Sequence, residues 1–208
     1  MPPPIPISFA VFRGEEPAIV TLDFSSDADV QAVTRWQVPL ELENDSAMQA
    51  RAADACDFAC FAAKRWQHYF ETGTSAESLV SLQRMIATDA EGEFCFNLKV
   101  TADWFPDILG GALVRRTWCH HLMIDLLFVH PAISGKLHAV RNVGISIFRS
   151  ICIIASHLGC ERIWGEATRD SAAFYAHHLN RQVKDEFFCE TTDIRSMAEF
   201  METKRRAS

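Results

Sequence analysis

The chain has 208 residues, 49% of them hydrophobic and 23% charged, with a formal net charge of −7. That is enough apolar material for one well-buried core, and the sequence reads as a single domain over residues 1–208. The negative balance excludes a general nucleic-acid binder, whose affinity comes from clustered Lys and Arg against phosphates, and every apolar run falls short of the roughly 20 residues of a membrane span.

Residues 1–6 form a proline-rich lead-in, expected to be extended and flexible. The opening is uncharged until Arg13 and its prolines spoil a helix, so no secretory leader is expected. Seven cysteines, an odd number with no CxxC pair, fit reduced thiols and a cytoplasmic location. Residues 7–12 and 18–24 read as a strand pair around Gly14. Residues 36–42 suggest a further strand that Pro39 demotes to an edge or an extended linker.

From residue 46 to 70 the positions of Met48, Ala52, Ala55, Cys56, Ala59, Cys60, Ala63, Trp66 and Phe70 keep a helical period. Cys56 and Cys60 lie four apart on one face, and in an alanine-rich stripe they read as packing residues and not as metal ligands. A second helix is predicted over 75–88, capped by Thr74 or Ser75, so that 46–88 forms a helical region. Residues 93–100 alternate Phe94, Phe96, Leu98 and Val100 against polar neighbours, the mark of a half-buried strand. Its antiparallel partner is 109–118, reached through a connection holding Trp104 and Phe105, which either face an acceptor pocket or close over the core.

Residues 122–129 (LMIDLLFV) are apolar apart from Asp125 and are stopped by His130-Pro131, as in a buried strand. A helix starts near Gly144, carries Ile147, Ile151, Ile154, Ala155 and Leu158 at helical spacing, and closes at Gly159. A short strand follows over 162–168, and Asp170 or Ser171 can cap a helix carrying Ala172, Phe174, Tyr175 and Leu179. This β-α-β-α series predicts parallel pairing of its two strands. Residues 183–190 read as a last strand and 193–206 as a C-terminal helix, with Ile194, Met197, Ala198 and Met201 on one face and Lys204-Arg205-Arg206 as a solvated end.

The turn Arg141-Asn142-Val143-Gly144-Ile145-Ser146 carries the first chemical signal. A glycine there lets the backbone approach an anion, and the following helix offers free N–H groups and the positive end of its dipole. The bland alternative is a glycine-started helix and nothing more.

Three segments in order, Val129-His130-Pro131, then Arg141 to Ser146, then Thr168-Arg169-Asp170-Ser171-Ala172-Ala173-Phe174-Tyr175, resemble the GCN5-related N-acetyltransferases. That family shows a strand ending in Val-x-Pro, a Q/R-x-x-G-x-G/A turn and an N-x-x-A-x-x-[FL]-Y segment. The chain departs from the pattern in a longer loop between Pro131 and Arg141, in Ser146, Thr168 and Ser171, and in His178-Leu179-Asn180 where Gly-Phe is usual. Asn180 can take the left-handed cap conformation that glycine supplies. The resemblance, carried by residues 120–180, implies an α/β fold with a mixed, mostly antiparallel central sheet flanked by helices, the acyl-CoA N-acyltransferase-like fold.

The resemblance also implies acetyl-CoA as co-substrate and an amine-bearing acceptor, a small molecule in preference to a protein, with no nucleic-acid or membrane partner. A homodimer is compatible with it. The pyrophosphate would lie against Arg141, Asn142, Val143, Gly144, Ile145 and Ser146, and the thioester and pantetheine against Phe128 and Val129, with Ser171 and Phe174 beside them. Tyr175 falls where the family places a tyrosine near the CoA sulfur, to protonate the leaving thiolate. Asp125, an acid alone in an apolar strand, is the first candidate base, with His120, His121 or water as alternatives. His177 and His178 point to different faces of a helix and suggest no metal site. The helices of 46–88 would wall the acceptor pocket. Two readings follow: an N-acetyltransferase working by direct transfer, or a catalytically silent module that binds CoA.

Overall fold

The computed structural model describes residues 5–169 and 171–206, the last six as backbone alone. Asp170, most of the proline-rich lead-in, and the side chains of Met201, Lys204, Arg205 and Arg206 lie outside this description. The described strands build one sheet in the order β7-β1-β2-β4-β5-β6-β8-β9, with a short β3 beside β4. These are β1 (Ile7–Arg13), β2 (Glu16–Phe24), β3 (Ser75–Ala76), β4 (Phe94–Ala102), β5 (Phe105–Arg116), β6 (Leu122–Val129), β7 (Val140–Arg141), β8 (Arg162–Glu166) and β9 (Glu186–Glu190). All pairings are antiparallel except β3 with β4 and β6 with β8. The expected mixed, mostly antiparallel sheet flanked by helices is therefore the observed one.

One face carries α1 (Asp27–Val33) and the long α2 (Ser46–Glu71); α3 (Leu79–Thr88), α5 (Val143–Leu158), α6 (Ala172–Leu179) and α7 (Thr191–Arg206) belong with the core on the other. Helix α2 starts where the Asp45 carboxylate accepts the Met48 N–H, and its buried residues are Trp66 and five alanines. The small side chains let the helix lie close to the strands, while Trp66 fills the gap against Leu113 and Phe128. Full burial of side chains such as Leu113 and Phe128 stabilises the fold by about 1.5–3 kcal/mol each.

A bulge in β6 sets up the site. Leu113 of β5 faces Leu126, but the next residue, Val114, faces Ile124, so Asp125 is an extra residue in β6. Before it, Leu122 and Ile124 pack on the α5 side of the sheet; after it, Leu127 and Val129 do, while Leu126 and Phe128 turn toward α2. The extra residue thus exchanges the faces of the alternating pattern.

Three local expectations are corrected. Residues 36–42 form no strand: Leu40–Leu42 is a 3-10 turn, and Trp36 is buried against α2 instead. The helix expected from 75 begins at Leu79 and is capped by Ser78, because Ser75 and Ala76 pair with Cys95 and Phe96 of β4. A short helix α4 (Pro131–Ser134) follows His130, whose Nδ1 accepts the Ala132 N–H. The left-handed cap foreseen at Asn180 is present, with φ 50°.

Candidate functional site

The parallel pair β6 and β8 is joined only over Leu122–Ile124 against Ile163–Gly165. Beyond Ile124 the two strands part. From Leu126 to Val129, β6 keeps one edge paired to β5 and leaves the other facing the opening. Such an edge can receive an extended chain carrying amides as an added strand would be received.

Helix α5 begins beside this opening. Its first residue follows Asn142, which sits in the left-handed region at φ 73° and makes no side-chain cap. The N–H of Ser146 is engaged by the Asn142 carbonyl at 3.1 Å, which leaves the N–H groups of Val143, Gly144 and Ile145 without an acceptor among the described residues. The amide expected from Ser146 is therefore not free, and Ile145 supplies one in its place. A Cβ built on Gly144 would point at Leu127 Cδ2, 3.7 Å away, and at the Phe174 ring, 3.9 Å away. The glycine is thus required neither by its own backbone angles nor by a clash within the chain. It keeps space open between the helix start, β6 and α6.

Two cavities follow one another beneath α2. One, of about 630 Å³, is lined by Arg51, Asp54 and Phe58 of α2, by Leu127, Phe128 and Val129, and by Thr168 and Ser171. The other, of about 640 Å³, is lined by Lys64, Arg65, His68 and Tyr69 of α2, by Arg115, Asp125 and Leu126, and by Glu166 at the end of β8. Ser171 faces the first cavity but does not cap α6 through its side chain; its hydroxyl accepts the Thr168 N–H at 2.9 Å.

The second cavity holds an ionic network that local sequence patterns do not reveal. Arg115 grips Asp125 through Nε to Oδ2 at 2.6 Å and Nη2 to Oδ1 at 2.8 Å. Arg65 Nη1 approaches the same carboxylate at 3.2 Å. Arg115 also donates to Glu93 at 3.1 Å, and Glu93 accepts the Tyr69 hydroxyl. Burial pushes Glu93 up, but the bonds from Tyr69 and Arg115 outweigh it and hold its carboxyl below the usual range. Burial, with Glu93 as acceptor, pushes the Tyr69 phenol up to about 12.

The candidate acid and base find definite surroundings. The expectation that Asp125 stands unpaired is corrected: its side chain is wholly buried, yet two guanidinium groups hold it. His120 accepts from Arg116 at Nδ1 and meets the Leu158 carbonyl at Nε2, so both ring nitrogens are engaged. His121 lies beside Cys119 at the same end of β6, away from the opening. The Tyr175 ring is buried and stacked on Phe187 at 3.8 Å, and its hydroxyl makes no hydrogen bond among the described residues. Burial pushes its phenol up, so it stays protonated. Arg141 turns to the β1–β2 turn, donating to the Gly14 carbonyl at 2.9 Å and to Glu15 at 3.1 Å. Trp104 and Phe105 line a separate cavity of about 540 Å³ with Arg13, His130 and His138.

No family model matches the sequence, and no curated protein matches it. Solved structures with a similar fold include an acetyltransferase from Bacillus cereus, 22% identical over 54% of this chain and 74% of that one, with a TM-score of 0.36. A nucleotide-linked sugar GNAT, FdhC, is 7% identical over 96% and 98% of the two chains, with a TM-score of 0.49. A cAMP-binding acyltransferase from Mycobacterium smegmatis is 13% identical and has a TM-score of 0.48; 97% of this chain aligns with it and spans 53% of its length. The parting of a bulged β6 from a parallel β8, within a mostly antiparallel sheet flanked by helices, fits the expected acyl-CoA N-acyltransferase-like fold.

Proposed function

We propose that the chain is an acetyl-CoA-dependent N-acetyltransferase that moves an acetyl group directly to an amine acceptor in a ternary complex. The observation that carries this reading is the set of uncommitted N–H groups on Val143, Gly144 and Ile145, opening onto the free edge of β6. Three such donors at the head of a 16-residue helix suit a pyrophosphate. The amides of the pantetheine arm run along Phe128 and Val129, which brings the thioester toward the point where β6 and β8 part.

There the acceptor nitrogen, freed of one proton, attacks the thioester carbon; the C–N bond forms, the C–S bond breaks, and a second nitrogen proton is lost. The thiolate takes up one proton to leave as CoA thiol, and the other passes to solvent. Tyr175, held as a neutral phenol by burial, is the donor assigned to the thiolate. Asp125 contributes by fixing Arg65 and Arg115 in the acceptor-side cavity, and water relays the proton from nitrogen. Transfer in one complex needs chiefly positioning and a polarised carbonyl.

A second reading, a catalytically silent module that binds CoA, is favoured by the engaged state of Asp125, His120 and Arg141. Incubation with acetyl-CoA and a panel of amines, following free thiol, separates the two. Thiol release that depends on the amine supports transfer; tight acetyl-CoA binding with no release under any amine supports the silent module.

A further inference from the structure

The charges of the acceptor-side cavity do not all neutralise one another, and the remainder describes the acceptor. Arg115 is fully engaged by Asp125 and Glu93, and Glu93 also takes the Tyr69 hydroxyl. Three groups are left over. Lys64 forms no ion pair among the described residues and lies 6.0 Å over the Phe61 ring. Arg65, half exposed, approaches Asp125 through Nη1 alone, so its Nε and Nη2 have no acceptor among the described residues. In the lining of the same cavity, the Glu166 carboxylate also has no partner among the described residues.

The placement of these groups gives the remainder a direction. Gly165 is the last β8 residue paired with β6, facing Ile124, so Glu166 stands at the fork where the strands separate, level with Asp125. An acceptor amine has to reach this fork to meet a thioester lying on β6. Lys64 and Arg65 sit on α2, on the far wall of the same cavity. The cavity therefore offers a carboxylate from the fork to an ammonium group, and an ammonium and a guanidinium fork from α2 to an oxyanion.

We infer that the acceptor is an amine that itself carries an anionic group, a carboxylate or a phosphate: Glu166 receives the amine at the fork, and Lys64 with Arg65 receives the anion. This rests on the transfer reading above and narrows it to a substrate class. A neutral amine would bring no counter-charge to these two cations, and a site built for a polar group discriminates against analogues that lack it.

The test uses matched amines that differ in the anion. Leucine is compared with leucinamide and isoamylamine, and phosphoethanolamine with ethanolamine, the two series separating carboxylate from phosphate. With acetyl-CoA present, kcat/KM for the anionic member of at least one series exceeds that of its neutral partner by about tenfold or more. Lys64→Met and Arg65→Gln each bring that ratio toward one, chiefly through KM, and Glu166→Gln raises KM for both members. Lys64 has no ion pair to lose, so its variant remains informative if Arg65→Gln fails to fold. Binding of the same amines to the full chain without acetyl-CoA, followed by calorimetry, gives a readout independent of turnover: the anionic member binds more tightly, and Lys64→Met removes the difference. Equal treatment of charged and neutral amines in turnover and in binding overturns the acceptor assignment while leaving acyl transfer intact. Failure of acetyl-CoA to bind overturns the transfer reading alone, and the amine-binding comparison still decides the acceptor class.

Discussion

Arg115 reaches past its register partner Met123 to grip Asp125 as a two-bond pair, with the carboxylate fully buried and the guanidinium side chain 18% exposed. Asp125 lies on the α2 side beside Arg65, and the bulge keeps the next residue, Leu126, on that side too. A buried pair of this kind adds little over a well-packed apolar replacement, whereas losing one partner strands the other charge. Arg115→Leu is therefore expected to cost about 3–5 kcal/mol in denaturant unfolding, and the double variant Arg115→Leu/Asp125→Leu much less than the sum of the two single changes. Additive single and double effects would show that the pair is not a unit.

How far this network could be foreseen depends on how local its signals are. The helical period along α2 and the left-handed caps at Gly159 and Asn180 are each written within a few residues, and the fold follows them; residues 94–100 form the expected strand, but Cys95 and Asn97 are buried as well, so it is covered on both faces and not half-buried. Helix α1 has only seven residues, too few for a periodic pattern, though its capping box between Ser26 and Asp29 was readable. The start of α3 was misplaced because the pairing of Ser75 with Cys95 is tertiary. Asp125 stood out as an acid among apolar residues, but its partners come from α2 and β5, and nothing near position 125 announces them. The same holds for Lys64 and Glu166, which meet only through the folded cavity.

His130 gives the chain a stability that depends on pH. Its Nδ1 accepts the Ala132 N–H at 3.2 Å, and its ring lies 4.8 Å from Trp36 and 5.0 Å from Phe105. Burial lowers its pKa, with Asp107 opposing in part; His121, His157 and His178 are lowered by burial too. The unfolded chain therefore takes up protons first as pH falls. The contribution is complete above the unfolded value of about 6.5 and is lost as pH drops through the lower folded value. His130→Asn keeps an acceptor for Ala132 while removing the titration. Unfolding free energies measured from pH 8 to 5 should fall less steeply for this variant, by up to about 1.4 kcal/mol per pH unit, the weight of one proton. Parallel curves would assign the dependence to other groups.

Tyr175 permits a clean separation of chemistry from packing. Its ring holds Phe187 and Phe148, contacts that Tyr175→Phe preserves, and the hydroxyl to be removed has no hydrogen-bond partner among the described residues. The melting temperature should therefore change little. If the phenol protonates the departing thiolate, kcat should fall about 10²- to 10⁴-fold. An unchanged kcat would leave the ring with a packing role alone.

Gly144 is where stability and binding should move in opposite directions. An alanine Cβ would make ordinary contacts with Leu127 at 3.7 Å and Phe174 at 3.9 Å, and replacing a helical glycine by alanine stabilises by about 0.5–1 kcal/mol. Gly144→Ala should accordingly raise the melting temperature of the ligand-free protein by roughly 2–4 °C. The same methyl group fills part of the space in front of the uncommitted N–H groups, so acetyl-CoA affinity measured by calorimetry should fall, and Gly144→Val should lower it further. Arg141 supplies the comparison. To reach a phosphate it must leave Glu15, an exposed partner whose hold is worth at most about 1 kcal/mol. Glu15→Gln should then raise affinity modestly and Arg141→Ala lower it, by about 1.5–3 kcal/mol if one charged hydrogen bond is lost. Affinity unchanged across the glycine and arginine variants would remove the phosphate cradle from the head of α5 and the acetyltransferase reading with it.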